Sequence, residues 1–215
     1  MKLTWTNPIP AWPRIAAIVM LVTVTGFLLA DHLDVVESTN TPTTARIAEL
    51  EDNERTLNLA VEFGFDPIIV KITRQLASEE FQKRYCACKM WRFVRTADDL
   101  AYLLLSIIAI ESRGNYRAVN PAGPAYGLTQ FVMSTARQYD KSITQDDLLT
   151  IPRHLELATT HFVDLLEQAG GNHMLASAAW NQGSGVIRRA EALGSAAGNS
   201  YAHMVLTRAV MRNAE

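Results

Sequence analysis

The sequence predicts a mainly α-helical domain preceded by one transmembrane helix at its N-terminus. From Arg46 onward, apolar residues recur at spacings of three and four, the period of helices that bury one face. Alternating runs that mark strands are scarce in that part of the chain. Nearer the N-terminus, residues 15–30 form one long uncharged apolar stretch.

Composition narrows the class of protein. The chain has 215 residues, of which 48% are hydrophobic and 20% charged, which excludes wholesale disorder. Its net charge of −2 indicates no nucleic-acid partner. Two cysteines are too few for a disulfide-built scaffold, and no His or Cys pair has zinc-ligand spacing. We therefore expect no metal and no cofactor.

The apolar stretch 15–30 is predicted to be an uncleaved signal anchor. A spanning helix needs about 20 apolar residues, and Ala11 to Pro13 bring the run close to that, with Arg14 reaching toward head groups. Cleavage after Ala30 would put Leu28 at −3, a poor fit for a signal peptide. Cleavage and a buried globular helix stay open as alternatives. The basic flank predicts a single-pass topology with residues 1–14 cytoplasmic and the catalytic domain periplasmic.

The remaining chain divides into three parts. Residues 31–45 form a polar linker, residues 46–96 a helical lead-in that could dock a partner, and residues 97–215 the main helical domain. In the lead-in we expect two helices, with these side chains inward: Ile47, Leu50, Leu57, Val61, Ile68, Val70, Ile72 and Leu76. Further helices are predicted over 97–113, 129–139, 152–169, 173–181, 184–193 and 199–213.

Residues 81–97 combine basic and aromatic side chains without an acid. A solvated helix face is the leading interpretation, and contact with a membrane or an anionic wall polymer is the alternative. The pattern leaves the redox state of Cys86 and Cys88 open.

Glu111 is the candidate for chemistry. It shares a helix face with Leu104, Ile107 and Ile108, and Gly114 is placed to end that helix. Apolar surroundings and the negative end of the helix dipole both disfavour its charge. We therefore expect a carboxyl group with a raised pKa, suited to protonating a leaving oxygen.

Three motifs lie around this carboxylate: ESRGN at 111–115, AYGLTQ at 125–130 and ASAAWNQG at 176–183. In this order they resemble the Slt-type (family 1) lytic transglycosylases, whose helical domain is similar to goose-type lysozyme. The resemblance implies a lysozyme-like fold and cleavage of peptidoglycan between N-acetylmuramic acid and N-acetylglucosamine. It covers roughly residues 97–193.

The resemblance also implies roles for individual residues. Glu111 would protonate the glycosidic oxygen and then deprotonate the muramyl 6-hydroxyl, giving a 1,6-anhydromuramyl end. The glycan strand would lie against Asn120, Tyr126, Gln130, Trp180 and Asn181. The motif residues Ser112, Asn115, Gly127 and Gly183 would shape the site.

The chain departs from the family pattern at three points. The loop PAGPAY at 121–126 is one residue longer than usual, with Asn120 where a serine is common. Trp180 replaces a tyrosine and cannot offer a hydroxyl to the acid, and Thr129 replaces a methionine. A core role for Trp180 therefore stays open beside sugar stacking. A lysozyme-type hydrolase on the same fold and a non-catalytic wall-binding module are the alternative functions. The setting could be a secretion or conjugation apparatus, or a phage virion if the chain is phage-encoded, with residues 15–30 in the inner or the virion membrane.

Overall fold

The structure is a computed structural model that describes residues 44–88, 94–193 and 199–210. The predicted cytoplasmic segment and the predicted anchor at 15–30 lie outside these residues, as does the linker up to residue 43. None of the helices within the described ranges combines the length and apolar character needed to cross a bilayer.

Nine helices and one two-stranded sheet make up the described part of the chain. In order they are α1 (Thr44–Phe63), α2 (Pro67–Cys88), α3 (Ala97–Glu111), β1 (Ala125–Tyr126), β2 (Phe131–Val132), α4 (Met133–Tyr139), α5 (Gln145–Leu148), α6 (Ile151–Gln168), α7 (His173–Gln182), α8 (Gly185–Leu193) and α9 (Ser200–Val210). Two compact units divide the chain at Ile47, and the first is described over the opening turn of α1 alone. The mainly helical architecture predicted for this part is confirmed.

Helix α3 is the centre of the second unit. Thr96 caps its N-terminus by accepting a hydrogen bond from the Asp99 amide, and the Asp99 side chain accepts one in return, which satisfies two otherwise free donors. Leu104 and Ile107 belong to the cluster shared with α6, α7 and α9. Their neighbours Leu105 and Ile108 belong to the cluster shared with α1 and α2. A helix that is apolar all round must be enclosed, and α3 is.

The apolar face predicted for α1 is wrong. Leu50 and Leu57 are 53% exposed and Val61 is 84% exposed, whereas Leu59 and Ala60 are buried. The face that carries Thr56 is covered instead, because the side chains of Thr56 and Asp52 contact α2. The Arg74 guanidinium donates to Thr56 Oγ1 at 2.8 Å and pairs with Asp52 at 2.7 Å.

The prediction holds better for α2, where Val70 belongs to the core and Ile72 and Leu76 pack against it, and of its predicted inward residues only Ile68 is exposed. Ile47 is 45% and Ile68 44% exposed, while Val70 is fully buried and Ile72 and Leu76 are half-buried. Helix α1 begins at Thr44, inside the segment predicted to be linker.

Two predicted helix bounds also need correction. The helix predicted over 97–113 ends at Glu111 because Arg113 and Gly114 take positive φ angles of 56° and 82°. The helix predicted from residue 129 begins at Met133. Residues 129–132 instead belong to the turn and second strand of a hairpin, in which Ala125 pairs with Val132 and Tyr126 with Phe131.

Helix α2 is fastened to α6 by ion pairs of Arg84. Its guanidinium lies 2.6 Å from Asp164 and 3.0 Å from Glu167, and it also pairs with Glu80 of its own helix at 2.7 Å. Within the described part of the basic stretch, Arg84 therefore joins two elements and is not a solvated cation. Residues 89–93 of that stretch lie outside the described ranges.

Candidate active site

Glu111 is the last residue of α3, at the point where the buried helix reaches the surface. Its carboxyl is half-buried, and Oε1 accepts a hydrogen bond of 2.7 Å from the hydroxyl of Tyr201 on α9. Tyr201 is 7% exposed. Burial and the neighbouring carboxylate raise the pKa of the Tyr201 hydroxyl, so it stays a proton donor to Oε1.

The pKa of Glu111 is raised above its usual value of 4.5, because burial withholds solvation from the carboxylate. The bond from Tyr201 lowers this pKa in part, since a donor stabilises the charged form. With Oε1 engaged by Tyr201, Oε2 is the oxygen from which a proton can be transferred.

A solvent-open groove of about 650 Å³ runs past this carboxyl. Five residues predicted to shape the site or bind the strand line it with Glu111: Ser112, Asn120, Gln130, Trp180 and Asn181. The structure therefore brings these side chains together, although they come from α3, the loop after it, the hairpin and α7. The other lining residues are Ile110, Arg113, Ala118, Val119, Ala125 and Val132.

The hairpin turn between β1 and β2 forms one wall of the groove. Gln130 in this turn has φ 50°, a left-handed conformation that is uncommon for a residue with a side chain. The side-chain nitrogen Nε2 of Gln130 donates to the backbone oxygens of Gly127 at 3.1 Å and Ala118 at 3.3 Å. These two bonds hold the Gln130 side chain against the loop that carries Asn120.

The buried imidazole of His154 on α6 holds this turn through hydrogen bonds of both ring nitrogens. Its Nε2 accepts the backbone N–H of Thr129 at 3.0 Å, with Thr129 Oγ1 2.9 Å from the same nitrogen. Because Nε2 must be unprotonated to accept, the proton lies on Nδ1, which donates to Leu148 O at 2.9 Å. A Cβ at Gly127 would lie 2.3 Å from Leu148 O, so glycine is required where the turn presses on this contact.

Trp180 has both a packed side and a groove side. Its indole lies 5.3 Å from the His161 ring, 5.7 Å from Phe131 and 6.1 Å from Phe162, all within the range of favourable aromatic contacts. The half-buried ring also lines the groove. The packing shows a core role for one side of the indole, and sugar stacking on the groove side stays a prediction.

Four predicted site residues do not line the groove. Tyr126 pairs with Phe131 in the hairpin, and Asn115 accepts the backbone N–H of Arg117 at 3.0 Å. Gly127 is the first residue of the hairpin turn and lies against Leu148 and His154, and Gly183 caps the C-terminus of α7 with φ 82°. Their positions are those of residues that shape the local backbone.

Sequence reasoning missed Tyr201, Arg113 and His154. No local pattern points to Tyr201, which lies 90 residues from Glu111 along the chain. The one available signal for Tyr201 was the tryptophan at position 180, where the family pattern has a tyrosine. Because Trp180 offers no hydroxyl, a hydrogen-bond donor to Glu111 has to come from another part of the chain. His154 lies on the apolar side of α6 and resembles an ordinary core residue in sequence.

Among the described residues no three His, Cys, Asp or Glu side chains lie close enough together to hold a metal ion. Comparison with known proteins gives one finding. The family model of the transglycosylase SLT domain matches residues 95–202, about half of the chain, and this range includes every groove-lining residue and Tyr201. No curated protein and no solved structure matches the chain.

Proposed function

The chain belongs to the transglycosylase SLT domain family, whose members are lytic transglycosylases that act on peptidoglycan, and from this premise we propose that Glu111 is its single catalytic acid and base. The observation that carries the proposal is the half-buried Glu111 carboxyl, bonded to Tyr201 and open to the groove. The raised pKa of Glu111 favours the protonated form that a general acid needs.

In the first step Glu111 Oε2 gives its proton to the glycosidic oxygen between N-acetylmuramic acid and N-acetylglucosamine, and the bond from that oxygen to C1 breaks. In the second step the resulting carboxylate removes the proton of the muramyl 6-hydroxyl, and that oxygen bonds to C1. The products are a 1,6-anhydromuramyl end and a free 4-hydroxyl. No water is consumed, and Glu111 ends with its proton restored.

The charges around the groove support a single-acid mechanism. Most glycoside hydrolases place two carboxylates across the scissile bond. Among the described residues that line this groove, Glu111 is the one carboxylate. The substrate's own acetamido group is placed to assist departure at C1, so a second acid is not required.

The test is Glu111→Gln, which keeps the size of the side chain but cannot transfer a proton. A positioned acid or base contributes roughly 10²–10⁴ in rate, so we expect clearing of purified sacculi to fall by at least the upper part of that range. Mass spectrometry of the products that wild type releases distinguishes the two reactions. Anhydro ends support the transglycosylase, and ends heavier by one water favour a hydrolase.

Melting curves across pH serve as the folding control. The pKa of Glu111 is higher in the folded protein than in the unfolded chain. The stability that this carboxyl contributes is therefore fully present at a pH below its pKa in the unfolded chain, and is lost as the pH rises through its pKa in the folded protein. Glu111→Gln does not suffer that loss, and its melting temperature should exceed that of wild type increasingly as pH rises. Clearing at the wild-type rate by a folded Glu111→Gln protein contradicts the assignment, and inactivity of wild type as well favours a wall-binding module.

The proposed setting is local opening of the cell wall by an enzyme tethered through residues 15–30. The support is the apolar stretch with its basic flank, and the machine it serves would be a secretion or conjugation apparatus or a phage virion.

A further inference from the structure

Arg113 is the one cation among the described residues that line the groove, as Glu111 is the one acid. The two are separated in sequence by Ser112 alone. The groove therefore presents a guanidinium beside the Glu111 carboxyl to whatever binds there.

The backbone at Arg113 favours another residue. Its φ of 56° lies in the left-handed region, which glycine occupies freely and other residues occupy at a cost. This conformation ends α3, with the Arg113 N–H donating to Ile108 O at 3.0 Å. Arg113 therefore lies in the turn directly after Glu111 and lines the groove.

The guanidinium of Arg113 is exposed, and no ion pair joins it to another residue in the described ranges. Its neighbour Arg117 differs, because the Arg117 guanidinium lies 5.3 Å from the centre of the Tyr116 ring and does not line the groove. Arg113 is thus a cation beside the reacting centre with its donors available to a ligand.

We propose that Arg113 binds a carboxylate of the peptide carried by the muramyl residue, and so selects peptide-bearing strands. This inference rests on the proposed function. The sugar backbone of the strand is neutral, so a carboxylate on its peptide arm is the anion that the substrate brings to the groove. A guanidinium matches a carboxylate with two parallel hydrogen bonds.

Three substrates separate this role from general binding. The first is sacculi with free peptide carboxylates, and the second is the same sacculi after carbodiimide coupling with ammonia, which converts carboxylates to amides of nearly the same size. The third is strands stripped of peptide by an amidase, which leaves the lactyl carboxylate on the sugar. The measurement is the initial rate of muramyl product release.

Wild type should cleave the free-carboxylate sacculi roughly threefold to tenfold faster than the amidated sacculi, the range expected for one exposed charge-assisted pair. In Arg113→Gly and Arg113→Gln this ratio should fall to about one. Arg117→Gln is the matched control and should keep the wild-type ratio. Glycine accepts φ 56° without strain, so Arg113→Gly should melt at or above the wild-type temperature.

A wild-type ratio kept by Arg113→Gly, or a ratio near one in wild type, overturns the inference and leaves the role of Glu111 standing. Stripped strands cleaved as fast as peptide-bearing ones, in a manner that depends on Arg113, would assign the lactyl carboxylate and overturn the peptide assignment. If wild type releases no product from any substrate, the proposed function fails and this inference fails with it.

Discussion

The proposed catalytic carboxyl of Glu111 is set by two features of its surroundings, its burial and the Tyr201 hydroxyl. Burial at the end of α3 raises the pKa of Glu111, and the Tyr201 hydroxyl, which donates to Oε1, limits that rise. The sequence places no hydroxyl at position 180, and α9 supplies one at 201.

Tyr201→Phe should lower the rate and move the pH profile. Without the donor, the charged form of Glu111 loses a stabilising bond, so its pKa rises further and the alkaline limb of kcat/KM shifts to higher pH. One hydrogen bond to a charged group is worth about 1.5–3 kcal/mol, so the maximum rate should fall roughly tenfold or more. The check is a pH–rate profile on sacculi, and an alkaline limb that moves to lower pH would contradict the role of Tyr201.

Substitutions at Trp180 should separate its two faces. Trp180→Tyr keeps an aromatic ring against Phe131 and His161 and should retain substantial activity. Trp180→Ala removes both the sugar platform and the packing, with a loss of about 3 kcal/mol in the free energy of unfolding. Urea unfolding beside a glycan-binding titration tests this, and full stability of Trp180→Ala would show that the ring does not pack as described.

At the scale of elements, the hairpin depends on α6. His154 is 1% exposed, and burial lowers its pKa to about 4. A neutral imidazole can accept from Thr129 and donate to Leu148 at once, and in this way α6 holds the turn that carries Gln130.

The stability of this element should depend on pH. Between the usual pKa of 6.5 and about 4, the unfolded chain binds a proton at His154 that the folded chain does not, so stability falls as pH falls through that window. By pH 5 this site should cost about 2 kcal/mol. His161, whose pKa is also lowered to about 4 by burial, adds a separate loss.

His154→Gln offers an acceptor near the position of Nε2, whereas His154→Asn retains a donor near Nδ1 and leaves the Thr129 amide unpaired. We expect the free energy of unfolding of both variants to fall less between pH 7 and pH 5 than that of wild type. At pH 7 the Asn variant should be about 2 kcal/mol less stable than wild type, because the Thr129 amide is left without an acceptor. Thr129→Val is the control that keeps the titrating ring and should keep the wild-type pH dependence. Urea unfolding at pH 7 and pH 5 decides, and an unchanged acid dependence in both His154 variants would refute the account.

For the whole molecule, the lead-in helices are part of the core. Leu59, Phe65 and Val70 pack in one cluster with Leu105 and Ile108 of α3. The Phe65 ring also lies against the turn that follows Glu111, since a Cβ at Gly114 would lie 2.7 Å from it. The docking role predicted for residues 46–96 stays a prediction, and the exposed face with Leu50, Leu57 and Val61 is where it would apply.

A chain that begins at residue 97 should therefore not fold, because it exposes the apolar surface of α3 that α1 and α2 cover. A chain that begins at residue 44 keeps this packing and should give a cooperative thermal transition. Circular dichroism melting of the two truncations is the measurement. A folded, active 97–215 fragment would show that the lead-in is dispensable.

The anchor is tested on the intact chain. Protease added to spheroplasts should degrade the catalytic domain and spare a short N-terminal fragment, because the basic residues Lys2 and Arg14 retain that end in the cytoplasm. A mature protein that begins at Asp31 would instead indicate cleavage, and protection of the whole chain would indicate the reverse topology.

The sequence by itself determined the helical class, the apolar helix that ends in Glu111 and the three motifs on either side of the groove. These features are local: helix periodicity, a helix-ending glycine and short motifs are written in neighbouring residues. The raised pKa expected for Glu111 also follows from its apolar helix, and burial does raise it.

Only the tertiary structure decided which face of α1 is buried, which hydroxyl meets Glu111 and what holds the hairpin. Each depends on contacts between residues far apart in the chain, such as Tyr201 with Glu111 and His154 with Thr129. Apolar spacing alone predicted burial of Leu57 and Val61. In the structure the face with Thr56 and Ala60 is buried instead, because Ala60 allows close packing and Thr56 accepts a hydrogen bond from Arg74. Periodicity specifies that a helix has an apolar face, whereas the shape and polar partners of the neighbouring helices select the face that is covered.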